Sequence, residues 1–418
     1  MRTKLLPAVL SALLILWAAS AHAVTITHLT YAGHGQAWMD YLVDRAEAFR
    51  AVEPDITVDI LTVAGVDGYR DQMTVMIASG AAPDVTDFYP ALAGDFVAQG
   101  YFLDLLPLVE RETGRDVTEF FAGPVIDAVS FDGRLWSLPV YLNPRVTFFN
   151  ADLFAEAGLE NPLELGDAWT WEALRESARR ITRDLTGDGV NDRFGIENLA
   201  YYLSWQQFVH EAGGQLYDRI VAPTESRFNT EPVRRGVEFA RQLIVDDNAV
   251  GGSFLAGTAA VATLHGPSII SSLVEAPFRW DIALQPLGPE SRATSFGIGG
   301  FQIASASRNV EAAWKWLAFL TLEPESAVAY VRTNGRIPTL RSVQPEYQAL
   351  VPALPGNWTA LIETVEQPNS FTLYVLTKNS GSINSVMEGT LREVWSGQTP
   401  TEIALERIHE QVTALLNE

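Results

Sequence analysis

Residues 24–88 read VTITHLTYAGHGQAWMDYLVDRAEAFRAVEPDITVDILTVAGVDGYRDQMTVMIASGAAPDVTDF. Val24 to Leu29 alternates as a half-buried strand does. Trp38, Tyr41, Leu42, Arg45 and Phe49 then recur at the spacing of one helix face, and Glu53-Pro54 stops that helix. Ile56, Val58 and Ile60 alternate in a second strand. Tyr69 to Ser79 turns Met73, Met76 and Ile77 inward, with Gly80 as its C-terminal stop. Asp84 to Phe88 makes a third, short strand. Two helical crossovers in so short a stretch argue for a parallel sheet, so the fold class is α/β.

Further along, Thr170 is placed to cap a helix through Trp171, Leu174, Ala178 and Ile181. Thr230 caps another, with Pro232 in its first turn. Thr399-Pro400-Thr401-Glu402 reads as a capping box with proline at the first helical position, ahead of Leu405, Ile408 and Val412. The chain has 418 residues, more than one ordinary core accommodates, which predicts two domains. No repeat, low-complexity tract or linker separates them. A chain that crosses between its two halves several times accounts for that.

Ahead of this, Arg2 and Lys4 precede an apolar run from Leu5 to Ala19, and Ala21-His22-Ala23 follows. A basic start, a hydrophobic centre and a small-x-small end make a secretory signal, residues 1–23, cut after Ala23. A membrane span needs about 20 apolar residues, which leaves an uncleaved anchor as the weaker alternative. The sequence has no cysteine, so neither a lipid-bearing thiol nor a disulfide is available. The expectation is an exported, unlipidated periplasmic protein. Lys and Arg total 29 against 51 Asp and Glu, a formal net charge of −22, which repels phosphate backbones and argues against nucleic acid. At 47% hydrophobic residues the chain has ample material for a core.

Catalytic signatures are missing: no Gly-x-Ser-x-Gly elbow, zinc helix, phosphate loop or dinucleotide fingerprint occurs. His210-Glu211 and His409-Glu410 each lack a second histidine. An acidic pair able to hydrolyse a glycoside has no sequence signature, because its geometry is tertiary. One loop has metal-site spacing. Asp184, Thr186, Asp188 and Asp192 occupy calcium-loop positions 1, 3, 5 and 9, and Val190 offers a carbonyl. Position 12 is Gly195 in place of a bidentate Glu. A polar turn of Asp, Gly and Asn accounts for the same residues without an ion. No cofactor is required, and any calcium here would be structural.

Several segments in succession carry a resemblance. They are Ile77-Ala78-Ser79-Gly80-Ala81-Ala82-Pro83-Asp84-Val85, Trp169 to Leu174, Glu211-Ala212-Gly213-Gly214 and Gly257-Thr258-Ala259-Ala260-Val261. Gly299 to Ala304, Asn309 to Leu317 and Gly335-Arg336-Ile337-Pro338-Thr339 follow. Together they resemble the extracellular solute-binding proteins of family 1, the maltose-binding-protein-like receptors of carbohydrate ABC importers. The resemblance spans the mature chain and implies a two-lobed periplasmic-binding-protein fold of type II. Crossings are expected near Tyr141-Leu142-Asn143, near Gly297 to Gly300, and after Arg336-Ile337-Pro338. Lobe one would combine 24–140 with 300–338, and lobe two 141–298 with 339–418.

A sugar presents hydroxyls that need directional partners and C–H faces that stack on aromatic rings, so its cleft mixes polar and aromatic side chains. Open α/β sheets bind ligands beyond the carboxyl ends of their strands. The expected ligand-binding residues are therefore His34 and Gln36 after the first strand, Asp87 and Tyr89 after the third, and Tyr141 and Asn143 at the first crossing. Tyr202 and Trp205 precede the Ala-Gly-Gly segment, and His265 and Ser268 follow an apolar strand. Gly300 and Phe301 mark the second crossing, Arg336 the third, and Asn384 or Tyr374 the C-terminal segment. Many members of the resembled family carry Trp where Ser268 stands. Trp38, Trp314 and Trp316 lie in helical patterns and belong to the core; Trp205 fits core or cleft equally.

The resemblance implies a monomeric binding protein, not an enzyme. It would capture a mono- or oligosaccharide or sugar derivative by hinge closure and deliver it to inner-membrane permease subunits driven by a cytoplasmic ATPase. Glycerol phosphate, a polyamine or ferric ion would use the same fold, iron favouring Tyr201-Tyr202. A secreted glycoside-acting enzyme is the reading from a different class.

Overall fold

The computed structural model describes residues 23–87, 90–199, 204–372, 377 and 379–418. The expected export signal, but for Ala23, and the sites proposed at Tyr89, Tyr202 and Tyr374 lie outside these residues. Thirteen strands are described: β1 Val24–Tyr31, β2 Ile56–Val63, β3 Val85–Asp87, β4 Ser130–Phe131, β5 Arg134–Leu135, β6 Leu138–Pro144, β7 Thr147–Asn150, β8 Phe194–Ile196, β9 Ala259–Ala262, β10 Trp280–Ala283, β11 Ser295–Ile303, β12 Ile337–Pro338 and β13 Phe371–Thr372.

The larger sheet runs β12-β6-β11-β3-β1-β2, with β13 added alongside β11; a smaller one runs β10-β7-β9-β8. Strand β1 is parallel to both β2 and β3. The helices that return the chain are Gln36–Val52 and Val66–Ala78, as the apolar spacing predicts. Trp38, Tyr41, Leu42 and Phe49 are the buried residues of the first. Its end is made by Glu53, whose N–H donates to the Phe49 carbonyl. Gly80 takes φ +71°, the left-handed conformation that ends a helix at low steric cost for glycine.

Two later caps differ from expectation. Thr170 does cap Trp171–Ile181, its Oγ1 accepting the Ala173 N–H at 3.3 Å. Thr230, however, donates its hydroxyl to the Arg227 carbonyl at 2.9 Å and leaves its helix without a side-chain cap. In the C-terminal helix Thr401–Leu416 the N-cap is Pro400. Thr399 instead donates to Glu393 at 2.7 Å and Thr401 to Glu238 at 2.5 Å. Short polar side chains serve whichever acceptor is nearest, and here tertiary carboxylates outcompete the local turn.

The chain leaves the larger sheet at Pro144 and enters the smaller one at Thr147. It comes back between β10 and β11. The two faces of the smaller sheet serve different clusters: Phe148, Ala262 and Ile282 join the larger core, whereas Phe149, Val261 and Ala283 join the second. Leu340, Val343, Tyr347, Leu361 and Val365 still pack in the larger core; Ile383, Met387, Leu405 and Ile408 belong to the second. Among the described residues no helix is long and apolar enough to cross a membrane.

Candidate functional site

The carboxyl end of β1 is fastened to that of β3 by one buried carboxylate. Asp87 accepts from His28 Nε2 at 2.9 Å, from the Tyr31 N–H at 3.0 Å and from the Thr30 hydroxyl. Trp316 donates its indole N–H to His28 Nδ1 at 3.0 Å, and Trp38 donates its own to Thr30 Oγ1 at 3.1 Å. Burial alone would push the Asp87 carboxyl up, but the hydrogen bond from His28, with His34 and Thr30, holds it below the usual range.

That carboxylate sets the turn after β1. His34 Nε2 lies 3.5 Å from Asp87 Oδ2, and its ring is 4.8 Å from that of Trp38. Burial lowers the His34 pKa, with Arg336 and His28 acting in the same direction and Asp87 opposing. A Cβ on Gly33 would fall 2.2 Å from the Tyr31 ring, so glycine there lets Tyr31 fold back over the turn.

The crossing ribbon supplies the next members. Strands β6 and β11 are antiparallel, with Tyr141 opposite Gly299 and Asn143 opposite Gly297. Residues two apart on a strand share a face, which puts Tyr141 and Asn143 on one side and Phe296 on the other. The Tyr141 ring stacks on Tyr330 at 5.6 Å and 10°, and the Arg336 guanidinium lies over Tyr141 at 4.5 Å. A Cβ on Gly299 would come within 2.2 Å of the Tyr141 ring; only glycine admits the ring in this place. Beyond Asn143, a Cβ on Gly266 would meet Asn143 Oδ1 at 2.4 Å and Arg145 Nη1 at 2.9 Å. Neighbouring His265 bonds Glu197 through Nε2 at 2.5 Å, and Glu197 also accepts the Phe254 N–H at 2.9 Å.

His34, Arg336, Tyr141, Asn143 and His265 thus follow one another along one side of the ribbon. Other expected residues sit elsewhere. Asp87 is buried beneath His34 with its oxygens already bonded. Phe301 is fully buried and stacks on Trp38 at 5.3 Å, and Trp205 is interior to the second core. Gly300 is buried, and a Cβ there would strike the Leu138 carbonyl. Gln36 is exposed and bonds Asp40 at 2.7 Å. Ser268 is exposed beside Pro267, and Asn384 is half-buried in the helix Ser380–Trp395.

The ring of Tyr330 and the carboxylate of Glu197 were not foreseen. Tyr330 reads as one more apolar position in a helix, and Glu197 follows β8 with no motif around it.

In the 184–192 loop, Asp184 accepts the N–H groups of Gly187 and Gly189 at 2.6 and 2.8 Å. Asp192 accepts those of Leu185 and Thr186 at 2.7 and 3.1 Å, and Asp188 that of Val190 at 2.8 Å. The carboxylates close the loop on its own backbone. Among the described residues no three Asp, Glu or His side chains group as a metal site.

Behind the ribbon lies a cavity of about 600 Å³ lined by Phe131, Asp132, His210, Tyr217, Phe296 and Phe371. Phe296 places it on the face opposite Tyr141. His210 stacks on Phe371 at 3.5 Å and 7°, and burial pushes its pKa down to about 3.

Comparison with known proteins adds a family. The model described as "Bacterial extracellular solute-binding protein" matches residues 32–326. A putative binding protein of Brucella abortus is 24% identical over 349 residues, covering 79% of this chain and 80% of its own. The sn-glycerol-3-phosphate-binding periplasmic protein UgpB of Escherichia coli is 23% identical over 424 residues, 95% and 94% of the two chains. The crystal structure of the cyclic alpha-maltosyl-1,6-maltose binding protein from Arthrobacter globiformis superposes with a TM-score of 0.75 at 20% identity, covering 94% of this chain and 99% of that one. That likeness establishes the two-sheet, type II architecture.

Proposed function

The chain belongs to the bacterial extracellular solute-binding proteins, and on that premise we propose that it captures a sugar, a mono- or oligosaccharide or a derivative, for an ABC importer. One observation carries the reading. His34 at the end of β1 and Tyr141, Asn143 and Arg336 at the crossings form a continuous polar and aromatic surface where two α/β halves meet. Hydroxyls find directional partners there, and rings supply apolar faces. The oligosaccharide named for the Arthrobacter protein supports a saccharide ligand, and the glycerol phosphate named for the Escherichia coli protein supports a small polyhydroxylated one.

The larger sheet with its helices would form one lobe and the smaller sheet with the C-terminal helices the other. Ligand bridges them and draws the lobes together, which requires tighter binding to the closed form, since equal affinity for both states shifts nothing. Micromolar affinity, about −8 kcal/mol, is within reach of a few charge-assisted bonds and ring contacts. The closed form docks on the permease, and the ligand leaves chemically unchanged. Removal of the leader after Ala23 places the protein in the periplasm. The test is intrinsic tryptophan fluorescence on titration with mono-, oligo- and polyol ligands. A saturable change with one class is expected; silence across all of them overturns the reading.

A further inference from the structure

We propose that the ligand carries an anionic group, a carboxylate or a phosphate, that seats on Arg336; this rests on the cleft being the ligand site. Arginines elsewhere in the fold find acids readily: Arg175 pairs with Asp247, Arg241 with Glu238 and Asp246, Arg407 with Glu393. With 51 acidic residues against 29 basic ones, acids are plentiful. Yet among the described residues no carboxylate lies within 4.0 Å of the Arg336 guanidinium. It is half-buried and held over the Tyr141 ring.

Two acids that hold the histidines of this surface are already engaged. Asp87 holds His28, Thr30 and the Tyr31 N–H, and Glu197 holds His265 and the Phe254 N–H. What remains around Arg336 is uncharged. Guanidinium offers five N–H groups and accepts nothing. The Tyr330 and Tyr141 hydroxyls beside it accept from the guanidinium and bring no charge. A neutral sugar brings donors as well as acceptors to such a place. A carboxylate or phosphate brings acceptors alone, matches the guanidinium fork with two parallel bonds, and supplies the missing counter-charge. Leaving a partly desolvated cation without a counter-charge is costly, so the gain falls to a ligand that supplies one.

The experiment is calorimetric titration of the mature protein with uronates, aldonates and phosphorylated polyols, each beside its neutral parent, for wild type, Arg336→Gln and Arg336→Lys. One anionic compound is expected to bind at least about tenfold tighter than its neutral parent. Arg336→Gln should weaken it about ten- to a hundredfold and the neutral parent by no more than about fivefold, with Arg336→Lys between. Whether the bound compound is a uronate or a phosphate separates the two sources. Equal binding of acid and neutral parent, or an anion held as tightly by Arg336→Gln, overturns the proposal while sugar capture stands. Silence with every anion while neutral sugars bind does the same; silence with all of them removes both. Thermal unfolding of each variant confirms that affinity, not folding, has changed.

Discussion

Trp316 gives its indole N–H to Nδ1 of His28 at 3.0 Å, and this one contact decides which nitrogen of His28 faces Asp87. With Nδ1 accepting, the ring hydrogen sits on Nε2 and is donated to Asp87. The residues concerned are 288 and 59 positions apart, so the orientation of the turn after β1 is set by a helix distant in sequence.

Trp316→Phe keeps the ring and removes the donor, leaving a buried imidazole nitrogen unpaired. We expect a loss of about 1–3 kcal/mol in urea unfolding. Asp87→Asn strands one of its donors and should cost at least as much. Because both act through His28, the double variant should fall short of the sum by more than about 0.5 kcal/mol. Strict additivity would mean that the relay does not act as a unit.

Gly299→Ala probes the crossing ribbon. The added Cβ has no room unless Tyr141 moves, and overpacking of this kind costs about 1–3 kcal/mol. Tyr141 supports Arg336, so the ligand affinity should drop by about tenfold or more in a protein that remains folded. Unchanged affinity with lowered stability would separate the ring from the binding surface.

Much of the fold is readable along the chain, and the limits are physical. Strands β1 to β3 and their two helices follow from period and punctuation; β2 and the helices bury a single face, whereas β1 and β3 are covered on both. Tyr141, Asn143 and Arg336 are placed by the crossings the resemblance implies. Asp87 stands out at the end of the third strand as a ligand-binding position, yet in the fold it fastens two strands together. Its partners His28 and Thr30 lie two crossovers away, beyond the reach of any local pattern. Trp205 has a helix-start context that suits surface and core equally, and burial in the second core is decided by packing. Thr399 shows the same limit at a helix end, where Glu393 takes the hydroxyl that a local rule assigns to the backbone.

Acid stability should report on His210. Its folded pKa is pushed down to about 3 from an ordinary 6.5, so the unfolded chain takes up the proton first. The stability this group contributes is complete above pH 6.5 and declines as pH falls from there toward the folded value. The slope for one such group is up to about 1.4 kcal/mol per pH unit. His34, lowered in the same sense, adds to it. His210→Gln should remove one proton's share of the slope between pH 6 and 4, measured by urea unfolding. An unaltered slope would show that His210 titrates normally.

Glu211 predicts the opposite dependence. It is completely buried in the second core, where Trp171 donates an indole N–H to it at 2.5 Å. Burial pushes its pKa well above the usual carboxylate value, with the Trp171 bond and Arg292 opposing. A raised folded pKa means stability that is present below the unfolded value and lost as pH rises through the folded one. Glu211→Gln keeps an acceptor for Trp171 and has no charge to bury, so it should lose less stability between pH 5 and 8 than the wild type does.

The 184–192 loop separates a metal site from a self-closed turn by a simple comparison. Asp184 and Asp192 accept four backbone N–H bonds between them, and hydrogen bonds from the Gly189 and Gly187 N–H groups, the two largest contributions, lower the Asp184 pKa. A turn closed in this way needs its carboxylates whether or not an ion is present. A bound ion adds stability by mass action, about 2.7 kcal/mol when free calcium is a hundred times its dissociation constant. That would raise the melting temperature by several degrees at millimolar calcium. We expect less than about 1 °C between calcium and EDTA, and an Asp184→Ala loss of the same size in both. A calcium-dependent rise that Asp184→Ala abolishes would establish the loop as a metal site, with the present N–H bonds giving way to the ion.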